Sequence, residues 1–375
     1  MNASFLINLI FFLFALLGAA DYLLDNRLGL GSQFEWGICC AGKLIIAMTG
    51  FMALSTVLGR LLTPVVTPLF TAMGADPSAL AGMILANDSG GAALAAEMAL
   101  DPVAGDFNGY FVASMLGGSV MCIIPMTMLS AGPAVRSSAI YGLVIGLASV
   151  PLGAAAGGLA AGYPLGVVLP NLIPASLLCF ALFLVLLLLN RWIVRPFQLL
   201  GKLLVGVSLT GLLLTEAREL FGIELVEGLN PFDGIIYIIG GIALVLSGVF
   251  PLLSVVSRLL RRPLARMAER LRVTDGDVSS LLVTAVNVFP TFELLNGMSP
   301  KGVLLNCAFM VGANCMLGDH FAFTSQTKPP LALPVLFGKA VAGFLALALA
   351  LLLAPRLLDA PDSAGERGEP TSTTT

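Results

Sequence analysis

The chain of 375 residues is 58% hydrophobic and only 11% charged, with a formal net charge of -3 and a mean hydropathy of +0.97. Soluble domains carry about 25% charged residues, and a soluble protein this apolar would expose large hydrophobic patches. Soluble globular, nucleic-acid-binding and disordered proteins are therefore excluded. The composition predicts an all-α, polytopic transmembrane helical bundle that is surrounded by the lipid bilayer.

Nine apolar runs are long enough to cross a hydrocarbon core of about 30 Å, which takes about 20 helical residues. In chain order they are Phe5–Ala20, Leu44–Leu58, Gly109–Ala131, Ala139–Ala161, Leu165–Leu189, Phe197–Thr215, Gly234–Val256, Gly302–Leu317 and Leu333–Leu353. The segment Leu61–Met73 is either an additional pass or an interfacial helix. Residues 1–355 are predicted to form one integral membrane domain, and the polar residues 356–375 a disordered tail.

Two further apolar segments have polar or helix-breaking residues at their centres. Ser78–Glu97 contains the run Asn-Asp-Ser-Gly-Gly at 87–91, and Val278–Gly297 contains Asn-Val-Phe-Pro at 287–290. Non-helical backbone at membrane depth is tolerated only inside protein or beside water. Both segments are therefore predicted to be broken, re-entrant helices.

The two broken segments are also related by position. Asn87 and Asn287 are 200 residues apart, and the Met-Leu-Gly runs at 115–117 and 316–318 are 201 apart. Five predicted spans separate the segments, so they would enter the membrane from opposite faces. This pattern predicts an inverted repeat with a binding site where the broken helices meet.

The orientation of the protein in the membrane is predicted from the positions of its arginines. The segment Arg258–Arg272 contains six arginines and one acid, Glu269. The positive-inside rule therefore predicts a cytoplasmic loop here. Counting spans places the acidic segment Glu219–Asp233 outside and the tail after Arg356 in the cytoplasm. The side of the N-terminus depends on whether Leu61–Met73 crosses the membrane.

Asp88 is the first candidate for a functional residue. An aspartate at bilayer depth costs on the order of 3 kcal/mol on insertion scales, so it must be paired, hydrated or functional. It is either part of an internal ion pair or cap, or the site of a cation. Its neighbours Asn87 and Ser89 lie in the same helix break and belong to the same predicted site.

Four residues of the second half complete the predicted site. Asn287 lies in the second helix break, and Glu293 either lines the same cavity or faces the cytoplasm. Asp319 and His320 follow the span Gly302–Leu317 and would bind substrate, relay a proton or cap a helix end. Side chains of adjacent helical residues point apart, so a direct Asp319–His320 pair is not implied.

The chain contains one histidine and six cysteines, with no Cys-x-x-Cys pair. Multi-histidine zinc and haem sites are excluded, and no metal or other cofactor is predicted. An intramembrane enzyme would need a nucleophile with a base or a metal, which this pattern does not favour. A scaffold or receptor would leave Asp88 unexplained.

Taken together, these landmarks resemble the EutH family of ethanolamine permeases. The matching residues are Gly74–Ser78, Asn87–Gly91, Asn287–Pro290, Lys301–Phe309 and Leu317–His320. The resemblance extends over nearly the whole chain. It implies a non-enzymatic protein of the bacterial inner membrane that moves ethanolamine inward for its breakdown, and it leaves homo-oligomer formation open.

Given such a substrate, we expect Asp88 to pair with the ammonium group. Asn287 and Asp319 would add hydrogen bonds or charge, and His320 would meet the hydroxyl. The alternative is an ion-coupled secondary transporter of another small polar solute, such as a nucleoside or an amino acid. Broken helices serve that class equally well.

The topology can be tested by labelling. In a cysteine-free background, single cysteines placed within Arg258–Arg272 or after Arg356 should resist an impermeant thiol reagent added outside whole cells. The reason is the positive-inside distribution of the arginines. Labelling from outside would contradict both the orientation and the opposite entry of the two broken segments.

Overall fold

The protein is described by a computed structural model that covers residues 3–188 and 194–358. The fourteen helices in these residues are α1 (Ala3–Leu23), α2 (Gly31–Ala72), α3 (Ala79–Ile84), α4 (Ala92–Met98), α5 (Pro102–Ser130), α6 (Pro133–Ala160), α7 (Leu165–Leu188), α8 (Val194–Phe221), α9 (Phe232–Leu271), α10 (Asp275–Val286), α11 (Phe289–Leu294), α12 (Pro300–Ala313), α13 (Asp319–Thr327) and α14 (Ala332–Leu358). Eight of them, α1, α2, α5–α9 and α14, are long and apolar enough to cross a membrane. The predicted helical bundle is therefore confirmed. Arg191 and the tail residues 359–375 lie outside the described residues.

The eighth apolar run, Gly302–Leu317, folds as a shorter helix than expected. Helix α12 has 14 residues and is about 21 Å long, which is too short to cross the hydrocarbon alone. Every residue from Gly302 to Ala313 is buried. The run is apolar because it lies inside the protein.

The segment Leu61–Met73 is neither an additional pass nor a separate interfacial helix. Helix α2 continues through it without interruption to Ala72, with Pro64 and Pro68 inside the helix. Its 42 residues make it about 63 Å long. One helix therefore accounts for both the predicted span Leu44–Leu58 and the residues that follow it.

The prediction of a loop at Arg258–Arg272 is wrong. Residues 258–271 are the last turns of α9, a helix of 40 residues that ends at Leu271. Leucine, arginine, alanine and methionine are strong helix formers, and the arginine side chains are exposed to solvent. Arg272 ends the helix in the left-handed conformation at φ 54°.

The first broken segment is a hairpin formed by α3 and α4, which we define as Asp76–Asp101. The carboxylate of Asp76 accepts hydrogen bonds from the backbone of Leu100 at 2.9 Å and Asp101 at 3.0 Å. It also accepts one from the backbone N–H of Ser78. The two ends of the segment therefore meet, and the chain between them enters, unwinds and returns, as predicted.

The second broken segment, Thr274–Ser299, closes in the same way. The carboxylate of Asp277 accepts hydrogen bonds from the Ser299 hydroxyl at 2.7 Å and from the Ser299 backbone at 3.3 Å. It also accepts one from the backbone N–H of Thr274. Helix α10 ends at Val286, and the extended backbone of Asn287 separates it from α11.

The contacts of the two hairpins repeat on one offset. The closing residues Asp76 and Asp277 are 201 positions apart. A Cβ atom on Gly117 would collide with the carbonyl oxygen of Leu85, and one on Gly318 with that of Val286. The second glycine–carbonyl pair therefore repeats the first at a distance of 201 positions along the chain. Since the five long helices α5–α9 separate the hairpins, the structure supports the predicted inverted repeat.

Helices α6, α12 and α14 pack closely through small residues. A Cβ atom added to Gly338 of α14 would lie 2.7 Å from the carbonyl oxygen of Gly153 in α6, and one on Gly142 would lie 2.6 Å from that of Leu304 in α12. Small residues allow such close approach between membrane helices. We call this contact region the glycine seam.

The closing aspartates should stabilise the fold strongly. Asp76→Ala and Asp277→Ala each leave at least two N–H groups without their acceptor, and a buried unsatisfied group costs about 1–3 kcal/mol. We expect each variant to lose at least about 2 kcal/mol of stability, measured by thermal or denaturant unfolding in detergent. Asp275→Ala is the matched control, because Asp275 is exposed in the first turn of α10. Equal stability of all three variants would contradict the closing role.

Candidate functional site

A cavity of about 1160 Å³ lies beside the tips of the two hairpins. Of the first hairpin, only the tip residues Ala86, Asp88 and Ser89 line it, whereas it follows the second hairpin from Val286 to Glu293. The cavity therefore lies on the second hairpin's side of the tips. Its remaining walls come from the helices α2, α5, α8 and α9, and from the connection between α12 and α13.

Asp88 lies at the inner end of this cavity. Its helix is broken at Ser89 and Gly90, and Gly90 has a φ of +93°, a conformation that residues with a side chain rarely adopt. The break leaves Asp88 only 5% exposed. Its Oδ1 accepts a hydrogen bond from the Ser89 hydroxyl at 3.2 Å and lies 3.7 Å from Nε2 of His320.

Asp319 and His320 begin helix α13 in the interior. The connection that precedes them is held against α10 by hydrogen bonds from Cys315 to the carbonyl of Thr284 and from Leu317 to that of Ala285. Asp319 accepts a hydrogen bond from the backbone of His320 at 3.0 Å, and the helix N-terminus favours its negative charge. As expected for neighbours, the two side chains form no hydrogen bond with each other, and the His320 ring faces Asp88.

Lys339 is part of this site, although the sequence analysis missed it. It lies in α14, is 1% exposed, and donates a hydrogen bond from Nζ to the backbone carbonyl of Ser114. Nζ also lies 3.1 Å from Nδ1 of His320. The signal was present, because a lysine inside the apolar run Leu333–Leu353 is as costly at bilayer depth as an aspartate.

When Lys339 is protonated, its contact with Nδ1 selects one tautomer of the His320 ring. A protonated lysine only donates hydrogen bonds, so Nδ1 of His320 accepts. The neutral ring then carries its proton on Nε2, which faces Asp88. Lys339, His320 and Asp88 form one line of polar groups that ends in the cavity.

Asn87 does not line the cavity. Its side chain is fully buried and donates hydrogen bonds from Nδ2 to the carbonyl of His320 at 3.4 Å and to the Thr324 hydroxyl at 3.3 Å. These contacts hold the first hairpin's tip against helix α13. The geometry makes Asn87 a positioning residue for Asp88 and His320.

Asn287 and Glu293 both line the cavity, on the second hairpin. The side chain of Asn287 accepts a hydrogen bond from the backbone of Phe289 at 3.0 Å, which stabilises the start of α11. Glu293 is exposed, as are Lys43 and Lys202 in the same wall. Glu293 therefore borders the cavity, which is the first of the two alternatives, and the side of the membrane that it faces stays a prediction.

The innermost residues can bind a cation. Asp88, Asp319 and His320 each offer a ligand atom, and these atoms lie within 4.8 Å of one another. Carboxylate oxygens accept hydrogen bonds from an ammonium group, and carboxylate and imidazole groups also bind metal ions. Trp36 and Phe250 stack in the cavity wall with their ring centroids 4.7 Å apart.

A helical membrane protein with two re-entrant hairpins whose tips line one cavity, beside a buried charged cluster, has the architecture of a secondary transporter. The family model for ethanolamine utilisation protein EutH matches residues 3–353. The chain belongs to this family, as its sequence landmarks suggested.

Curated relatives agree over nearly the full length. The chain is 36% identical over 358 residues to the probable ethanolamine permease EutH of Listeria monocytogenes, covering 96% of each chain. It is 32% identical over 352 residues to the protein of the same name from Escherichia coli, covering 88% of this chain and 86% of the relative. An uncharacterised Bacillus subtilis protein, YxeR, is 35% identical over 342 residues, covering 91% of this chain and 92% of the relative. No solved structure matches the chain.

The positioning role of Asn87 can be tested by changing its charge without changing its size. Asn87→Asp would place a carboxylate against two acceptor oxygens, so we expect a loss of about 1–3 kcal/mol of stability. Thr324→Val removes only one of the two acceptors and should cost less. Thermal unfolding in detergent measures both variants. A stability loss that is larger for Thr324→Val would show that Asn87 does not hold the tip.

Proposed function

We propose that this protein is a permease that carries ethanolamine across the bacterial inner membrane for its catabolism. The observation that carries the proposal is the buried carboxylate of Asp88, which lies with Asp319 and His320 at the inner end of an open cavity. Membership of the EutH family and the names of the Listeria monocytogenes and Escherichia coli relatives support the choice of substrate.

The chemistry of the site fits ethanolamine. A primary amine is protonated at neutral pH, as lysine is, so the substrate is a small cation with one hydroxyl group. Asp88 receives the ammonium group, and Asp319 adds charge from the start of α13. His320, Ser89 and Asn287 are within the same cavity and offer partners for the hydroxyl. Asn87 acts by holding the tip in place.

The cavity lies on the second hairpin's side of the tips, and this position indicates which transport state the structure represents. The cavity follows the second hairpin, whose closed end lies next to the arginine-rich end of α9. With those arginines and the tail after Arg356 in the cytoplasm, the cavity opens inward. Its volume far exceeds that of ethanolamine, so this is an open vestibule and not an occluded state. Substrate release to the cytoplasm is then the step that this state serves.

An ion-coupled carrier of another small polar solute, such as a nucleoside or an amino acid, is the second candidate. It is favoured by one observation: the ligand atoms of Asp88, Asp319 and His320 are close enough together to hold a metal cation. Counterflow against a panel of unlabelled solutes separates the two candidates. Ethanolamine should compete best in the permease, and a nucleoside or amino acid in the alternative.

The direct experiment is uptake of labelled ethanolamine into liposomes that contain the purified protein. We expect saturable uptake that is absent from protein-free liposomes. Uptake that is no faster than the leak through protein-free liposomes would refute the proposed function.

Removal of the Asp88 charge should weaken substrate binding most. Asp88→Asn keeps the size of the side chain but loses one partner of a desolvated charge pair, which costs roughly 2–5 kcal/mol. This corresponds to a loss of about 30-fold or more in apparent affinity, measured as the concentration dependence of uptake. Asp88→Glu should retain part of the transport because it keeps the charge.

The control for this series is Asp319→Asn. We expect a smaller loss, because Asp319 is only half-buried and also interacts with the start of α13. All variants must first be shown to be folded in the membrane. Unchanged affinity in folded Asp88→Asn would assign Asp88 a purely structural role.

A further inference from the structure

The proposed function does not explain which group balances the positive charge of Lys339. Lys339 is 1% exposed within a membrane-spanning helix, two turns from the start of that helix, and a buried charge there is costly unless it is paired. Its contacts at Nζ are the carbonyl of Ser114 and Nδ1 of His320. Neither group is charged when Nδ1 accepts this hydrogen bond, so the balancing negative charge must come from further away.

That negative charge lies on the other side of the histidine ring. Nε2 of His320 is 3.7 Å from Asp88, and the carboxylate of Asp319 belongs to the same cluster. At full ionisation the two carboxylates carry two negative charges, and a protonated Lys339 carries one positive charge. With a neutral His320, one negative charge remains for a ligand.

We propose that Lys339 sets the charge selectivity of the site, by neutralising one of the two carboxylate charges so that the cavity accepts monovalent amines and rejects divalent ones. The inference rests on the proposed binding of an ammonium group beside Asp88. It adds a residue that does not touch the substrate and acts through His320. Lys339 is thus a positioning residue that acts on the net charge of the site. The carbonyl of Ser114 holds its ammonium group on the side of the His320 ring that faces away from Asp88.

The arrangement also explains why the lysine does not occupy the binding position itself. The imidazole ring of His320 stands between Nζ and the Asp88 carboxylate. The carbonyl of Ser114 holds the ammonium group on the far side of that ring. The Asp88 side of the ring, which faces the cavity, is therefore free for a second ammonium group.

The test compares a monoamine with a diamine. Ethanolamine and 1,3-diaminopropane are similar in length, but the diamine carries two positive charges at neutral pH. In Lys339→Met the site should hold two uncompensated negative charges. We expect the ratio of the ethanolamine and diamine dissociation constants to shift toward the diamine by about tenfold or more, because charges this close interact strongly in a partly desolvated site. Binding is measured on the purified full-length protein.

A double variant keeps the proposal testable even where Lys339→Met does not fold. Asp319→Asn combined with Lys339→Met restores a single net negative charge and should restore the preference for ethanolamine. If Lys339→Met alone does not fold, the double variant should recover the folded protein. An unchanged ratio in folded Lys339→Met, or a double variant that is as poorly folded as the single one, would overturn the proposal.

The outcome is separable from that of the proposed function. Wild-type protein that takes up no ethanolamine would refute the permease, whatever the ratio. Wild-type protein that transports ethanolamine, together with a Lys339→Met variant of unchanged charge preference, would refute only the role of Lys339. A panel of other monoamines and diamines extends the comparison if ethanolamine itself does not bind.

Discussion

In a membrane, a helix can be interrupted only where the freed backbone groups find partners inside the protein. The two hairpins meet this constraint in the same way, at both of their ends. At the closed end, Asp76 and Asp277 each accept N–H groups from the opposite arm. At the tips, Gly117 and Gly318 allow other segments to pack directly on the carbonyls of Leu85 and Val286, where α3 and α10 end. The position of every residue in the site depends on these two enclosed interruptions.

The two halves share a framework but differ in chemistry. The residues that close and cover the hairpins recur at a spacing of 201 positions, whereas the charged groups do not. Asp88 comes from the first hairpin's tip, and the corresponding position of the second hairpin, 201 residues on, is Phe289. Asp319, His320 and Lys339 come from the second half, where Asp319 and His320 correspond to Gly118 and Ser119. The functional cluster is thus an asymmetric feature built on a symmetric framework.

Sequence reasoning succeeded where one residue carries a large energetic penalty or a conformational preference. Asp88 in an apolar segment, followed by two glycines, identified both a helix break and a charged site. It failed for the arginine-rich segment of α9, because arginine is both a marker of cytoplasmic loops and a good helix former. Lys339 was missed because the surrounding run is apolar enough to pass as an ordinary span. The role of Asn87 depends on Thr324, more than 200 residues away, and no local pattern reveals such a contact.

The glycine seam has a mechanical consequence. Gly142, Gly146 and Gly153 of α6 each lie against a backbone oxygen or a methyl group of α12 or α14, at a distance that leaves no room for a side chain. A shift of one residue along these helices, about 1.5 Å, would press those groups against bulkier neighbours. Helices α6, α12 and α14 therefore form one rigid unit. Lys339 lies in that rigid unit, whereas Asp88 lies on a hairpin tip outside it, so a movement of the tip would change the separation between these two groups.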